Sequence, residues 1–488
     1  MNTLATLIAN NPLQPRAVPG HVTASSPADY VLPVVTADQR PLARAWLLLA
    51  LAALVGSGVF SVLLVLARTP GINAWLPAGD FFRVALVVHV DLSVLVWFVA
   101  IAGLLWTTNQ RAARTRAGML LARLPLALCG LGALGMGLAA FVDPGQPVMA
   151  NYIPMLDSTT FRGAVVVFGA GALVLVLLGL ARAQTVGPAV DGAGALRFGL
   201  HASVVSAAVA LLAFGWSLAV VPGTLPAKAY YEILFWGGGH ALQFTWTLLM
   251  LVSWLALAQA CGGRIPLSPR VVLLMFAVAL ASVFITPLAY LMHDVSTVEH
   301  RDMHTWAMRF GGGAAIAPLA LAVLLSLAST RHAGETQRPL RAALLASMLL
   351  FVAGGLIGLT IQGSNVKIPA HYHGCIVGVT LALMGLVHHL LPQLGYRAAR
   401  GRLAVLQPWL YGFGQLLHIV GLVWSGGYGV QRKVAGAEQV LRSTGEVAGM
   451  GLMGLGGLLA IAGGLLFVVV VAGAMRAPAA EAALKTHR

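Results

Sequence analysis

Five histidines and an aspartate stand where such residues are costly: His89 in VVHVDLSVLVWF, His240 in GGGHALQF, His293-Asp294 closing an apolar run, and His371 and His373 in PAHYHG. Ionisable side chains among long apolar runs are expensive and mark ligands, pairs or pathways. Imidazole is also the commonest metal-binding side chain. Taken singly, each histidine reads as well as a satisfied core residue. The triplet His371-Tyr372-His373 is more specific. Successive helical residues turn about 100°, so residues i and i+2 face nearly opposite ways. Two such rings cannot readily chelate one ion, but each can hold a different iron on either side of one helix.

The elements that must position these residues are membrane helices. The chain is 59% hydrophobic and 9% charged over 488 residues, with mean hydropathy +0.86, more apolar surface than a soluble core can bury. A spanning helix needs about 20 apolar residues. Runs of that kind lie near 44–67, 81–106, 118–142, 161–181, 197–221, 230–259, 269–293, 306–328, 341–361, 370–394, 406–425 and 449–473. The expected fold is all-α, a polytopic membrane bundle of about twelve helices. Residues 1–43 read as a disordered cytoplasmic tail, 44–475 as one transmembrane catalytic domain, and 476–488 as a short cytoplasmic C-terminal tail.

Charge placement sets the orientation. The net charge is +15, and arginines gather in alternate loops, at Arg111, Arg114 and Arg116, at Arg264 and Arg270, at Arg331 and Arg338, and at Arg397, Arg400 and Arg402, with the outer loop 426–448, carrying Arg432, Lys433 and Arg442, as the exception. By the positive-inside rule those alternate loops and both termini face the cytoplasm, as in a bacterial inner membrane. That placement also argues against nucleic acid as a partner. In this topology His89 lies roughly 12 Å below the outer face at 1.5 Å per residue, and His240, His293, Asp294, His371 and His373 fall in the same outer half. Packing requires no such shared depth; metal binding does. Cys129, Cys261 and Cys375 are scattered, and the sequence has no CxxCH and no CxxC, so no covalent haem c and no thiolate cluster is expected.

NVKIPAHYHG at residues 365–374 resembles the tenth-helix signature of the haem–copper oxidase superfamily subunit I, and four other segments match in order. These are His89 on the second helix, Gly239-His240 on the sixth, HDVSTVE at 293–299 on the seventh, and His418 with Gly421-Leu422 before Arg432-Lys433. The resemblance implies that His89 and His373 are axial ligands of a low-spin haem and His371 that of a high-spin haem, both probed first as haem b. It implies that His240, His293 and Asp294 hold one copper or non-haem iron, and that Arg432 and Lys433 pair with haem propionates. Ordinary loop charge is the alternative for those two.

Departures from the oxidase pattern point to the substrate. The usual His-His pair reads His293-Asp294, a harder ligand set. The places where oxygen-reducing members carry a tyrosine hold Phe244 and Pro287. None of the fifteen Asp and Glu residues lies in the inner half of a helix, so protons are expected from outside; Asp91 and Glu232 also read as groups that orient His89 and anchor a helix end. His300 and His304 are read as an interfacial loop rather than a metal site, and His201, His388 and His389 receive no role. The expected function is a nitric oxide reductase catalytic subunit, with a cytochrome c-type terminal oxidase as the alternative. Electrons would come from a partner subunit, a soluble cytochrome c or a cupredoxin at the outer face.

Overall fold

The computed structural model describes residues 29–476 apart from 73–78, 114, 189, 329, 331–333 and 436–437. Among the described residues, twelve helices are long and apolar enough to cross a membrane. They are α1 (Arg40–Arg68), α2 (Phe81–Thr108), α3 (Arg116–Val142), α4 (Thr159–Arg182), α5 (Gly192–Val220) and α6 (Ala227–Ala260), followed by α7 (Pro269–Met292), α8 (Val298–Ala328), α9 (Gln337–Gly358), α10 (Lys367–Leu390), α11 (Arg402–Gly427) and α12 (Thr444–Met475). Polar residues mark where many begin. Thr115, Ser158, Asp191, Ser268, Thr297 and Ser443 each accept a hydrogen bond from the first turn of the helix that follows, satisfying an otherwise orphaned amide. Between α3 and α4, β1 (Gln146–Val148) pairs antiparallel with β2 (Met155–Asp157).

Burial separates the helices into two classes. The most apolar window is 83% buried in α6, 78% in α10 and 67% in α2, against 28–50% in the other nine. The three enclosed helices are therefore those that carry His240, His371 with His373, and His89. A helix surrounded by protein can carry ring nitrogens that lipid would not tolerate. Close backbone contact helps enclose them: a Cβ at Gly374 of α10 would come within 2.5 Å of Gly354 Cα on α9. Small residues at such crossings let backbones touch, and here the contact brings α9 carbonyls to α10 side chains.

Two boundaries differ from those read in the sequence. The segment expected as a tail to residue 43 is packed from Asp29 onward: Tyr30 is fully buried, its hydroxyl donates to Leu267 O at 2.7 Å, and α1 starts at Arg40. Its buried apolar residues (Tyr30, Leu32, Val35) carry no helical period, so only tertiary contact orders them. Residues 1–28 and 477–488 lie outside the described residues. At α8, the helix starts at Val298 rather than 306; the polar stretch EHRDMH hides two helical turns from a hydropathy average. A six-residue π-helical stretch, Asp91–Val96, interrupts α2 two residues after His89.

Candidate metal centre

Five histidines present a shared pattern of hydrogen bonding. Nδ1 meets a carbonyl oxygen in His89 (Ser57, 3.1 Å), His240 (Trp236, 2.9 Å), His304 (His300, 2.8 Å), His371 (Gly354, 2.7 Å) and His418 (Met453, 3.0 Å). A carbonyl only accepts, so each Nδ1 carries the proton and donates it. Nε2 is left unprotonated, the state a metal requires, with its orientation fixed from behind.

His371 and His373 leave α10 in different directions. His371 turns to α9, where its ring fits against Gly358; a Cβ there would come within 2.7 Å of Nδ1. His373 turns to α11 and packs against His418, ring centroids 5.0 Å apart, with His89 in electrostatic reach of both. Ser57 Oγ lies 2.9 Å from His89 Nδ1, so α1, and not Asp91, holds that ring. Asp91 is buried, and neither carboxylate oxygen has a hydrogen-bond partner.

A second group forms where α6, α7 and α8 meet. His240 packs 5.7 Å from His304, and His304 packs 4.7 Å from His300, centroid to centroid. All three are at least 97% buried. Thr297 caps α8, and the i, i+4 spacing puts His300 and His304 on one inward face. The Tyr290 ring lies 4.7 Å from His300, and the Tyr152 hydroxyl reaches His240 at 2.8 Å from Nδ1 and 3.0 Å from Nε2. The run Gly237-Gly238-Gly239 makes this possible. Side chains there would strike the Tyr290 hydroxyl, Phe214 and the Tyr152 ring in turn.

His293 and Asp294 lie just beyond the end of α7, at the edge of that group and in electrostatic reach of His300. His293 is half-buried, and Asp294 is exposed, accepting from Ser296 N at 2.9 Å and Ser296 Oγ at 2.5 Å. Those two donors hold its carboxyl below the usual range. Arg432 and Lys433 converge on the hairpin: Arg432 donates to Asn151 Oδ1 at 3.5 Å and Lys433 to Met149 O at 2.6 Å. Glu232 accepts from Asn151 N at 2.9 Å and from its side-chain amide. Phe244 is buried in an apolar cluster with Val209, Ala210, Ala241 and Val283. The residues that sequence reasoning passed over are His300, His304 and Tyr152. For the first two the HxxxH spacing was the available signal; for Tyr152 there was none.

The donor set suits transition metals. Among the described residues, no three His, Cys, Asp or Glu side chains are close enough to hold an ion as they stand. Yet both ring nitrogens of His300 and Nε2 of His304 are buried without a partner. An unpaired buried polar atom costs about 1–3 kcal/mol, so neighbouring orphans on two imidazoles call for a ligand. Imidazole nitrogens suit copper and iron.

Residues 41–465 match the family described as cytochrome c and quinol oxidase polypeptide I. The chain belongs to that family. An uncharacterized protein of Rickettsia prowazekii is 27% identical over 500 aligned residues, covering 88% of this chain and 95% of that protein. Cytochrome c oxidase subunit 1 of Thermus thermophilus is 26% identical over 248 residues, 45% of this chain and 43% of that one. A chain of a haem–copper terminal oxidase dimer solved by cryo-EM superposes with TM-score 0.68 at 16% identity, over 91% of this chain and 85% of its own, a likeness of fold. Membership in the oxidase polypeptide I family makes this a multi-span membrane oxidoreductase of the haem–copper type. Such subunits typically hold two haems and a copper or iron.

Proposed function

We propose that this oxidase polypeptide I chain reduces nitric oxide to nitrous oxide at a high-spin haem and a second metal. The observation that carries this reading is Phe244. It stands one helical turn inward from His240, where oxygen-reducing members of the resembled superfamily place a tyrosine, and it is enclosed by hydrocarbon. Joining two nitric oxide molecules needs two electrons and two protons and no tyrosine at that place. The charged side chains that hold the loop carrying Tyr152 (Glu232, Arg432 and Lys433) belong to the end of the bundle where α6 and α10 begin, which the arginine pattern makes the outer face. That arrangement suits protons and electrons arriving from outside, from a donor subunit, a soluble cytochrome c or a cupredoxin.

His89 and His373 would hold the low-spin haem and His371 the high-spin one, both haem b, with Arg432 and Lys433 near the propionates. Bound haem and metal would supply electron transfer and a site for the gas. Geometry favours His240 with His300 and His304 for the second metal, because those rings are buried together and the latter two carry unpartnered nitrogens. The resemblance favours His240 with His293 and Asp294; Asp294, at the mouth, would then have to leave Ser296. Oxygen reduction is the second reading, favoured by the Tyr152 hydroxyl on His240.

The test is gas consumption by the purified complex with a reduced donor, nitric oxide under anaerobic conditions against oxygen. Turnover of nitric oxide with slow or absent oxygen use is the expected result. Brisk oxygen reduction, lost in Tyr152→Phe, with no nitric oxide turnover, returns the chain to the terminal oxidases.

A further inference from the structure

The loop between β1 and β2 is gripped from two directions. Glu232 of α6 takes both the backbone and side-chain N–H groups of Asn151, while Arg432 and Lys433 take Asn151 Oδ1 and Met149 O. The next residue, Tyr152, has φ +67°, and Lys433 has φ +64°; among the described residues no other non-glycine residue has positive φ. Left-handed backbone costs an ordinary residue roughly 1–2 kcal/mol, and it persists where surrounding contacts over-determine it. Both strained residues lie in this one clamp.

What the strain achieves is the placement of one hydroxyl. The Nδ1 proton of His240 is committed to Trp236 O at 2.9 Å. The Tyr152 hydroxyl lies against the same ring, 2.8 Å from Nδ1 and 3.0 Å from Nε2, and leaves the in-plane Nε2 lone pair to a metal. The tyrosine ring lies 5.0 Å from the imidazole and edge-on to Trp236 at 5.9 Å. Gly239 has no side chain to keep it out. A glutamate that merely ended a helix would not need to grip a strained loop that ends on a histidine.

We propose that Glu232 and Asn151 form a clamp that seats Tyr152 on His240, and that Tyr152 is a positioning residue which sets the orientation and polar surroundings of that ligand. The inference rests on His240 being a second-metal ligand and is independent of which gas is reduced. Glu232 acts only through Tyr152, so their effects are not additive.

The experiment uses the reduced, haem-loaded complex with carbon monoxide as the probe. Its infrared stretch reports the electric field in the pocket, which a purely structural role for the loop would leave unchanged. Tyr152→Phe is expected to displace the band. Glu232→Ala is expected to displace it in the same sense, the double variant no further than Tyr152→Phe alone, and Glu232→Gln to recover most of the wild-type position. Amide exchange at Asn151 should quicken in Glu232→Ala and stay slow in Tyr152→Phe. If Glu232→Ala does not assemble with haem, Asn151→Ala makes the same comparison. An unmoved band in Tyr152→Phe, or displacements that add in the double variant, would overturn the clamp. The other assignments fail separately. A wild type that reduces only oxygen removes nitric oxide and leaves this coupling standing, while unchanged second-metal content in His240→Ala removes His240 as the ligand.

Discussion

The two histidine groups are built by different means. Around α10, the rings of His89, His371 and His418 arise within helices and are fixed by carbonyls of neighbouring helices at 2.7–3.1 Å. Around His240, the parts come from element ends: the first two turns of α8, the end of α7 and a hairpin loop with strained backbone. Rings that would serve as axial haem ligands gain from anchoring within rigid helices. A group that must admit a gas and move protons needs polar atoms near an opening, and loops supply them. The difference predicts that mutations act through ring placement in the first region and through ligand and proton supply in the second.

The largest effect should separate the two candidate ligand sets of the second region. His240→Ala and His304→Ala are expected to abolish turnover and second-metal content. Loss of an outer-shell partner alone costs about 10–100-fold, so loss of a ligand should exceed that. Asp294→Ala, in an exposed side chain bonded to Ser296, should retain the metal and most activity. Metal analysis of the three variants decides it: metal lost in Asp294→Ala but kept in His304→Ala would restore the His293–Asp294 set.

That test falls on the part of the site least legible in sequence. The twelve spans follow from hydropathy, because lipid imposes one requirement on every helix. The depth of His89, His240 and the HxH pair follows from counting along helices whose direction is known. His300 and His304 sat in a segment too polar to register as a span, although their spacing places them on one helical face once the helix is granted. Tyr152 could not be found by counting, since it reaches His240 across 88 residues of sequence through a loop that only tertiary contacts hold. The carbonyl anchors were equally hidden, because backbone oxygens leave no residue signature.

A smaller effect should sharpen the view of the first region as a ring-placement device. Gly358 and Gly355 lie on the same helix, but a Cβ at Gly358 would come within 2.7 Å of His371, while at Gly355 it would meet nothing within 4 Å. Gly358→Val should displace the ring, cost about 1–3 kcal/mol of stability by overpacking and deplete the high-spin haem signal. Gly355→Ala should leave both unchanged. The readouts are thermal unfolding and the reduced-minus-oxidised haem spectrum. Equal behaviour of the two variants would mean that the α9 surface does not position His371.

The smallest effect concerns the electrostatics of the loop region. Burial, reinforced by Arg432, presses the Lys433 amine down from its ordinary 10.5 to about 8, while Glu232 opposes the shift. Below about pH 8 the lysine is charged in the folded and unfolded chain alike, and the folded state carries the whole burial cost. Between about pH 8 and 10.5 the unfolded chain binds a proton that the folded chain has released, so this group makes stability rise with pH across that window. Only a neutral amine reacts with an acylating reagent, so labelling of Lys433 followed by mass spectrometry should reach half its maximal rate near pH 8. Glu232→Gln removes the opposing charge and should move that midpoint lower. A midpoint near 10.5, or one indifferent to Glu232, would mean that the clamp does not couple Glu232 to the basic pair, leaving ring packing alone to set the second region.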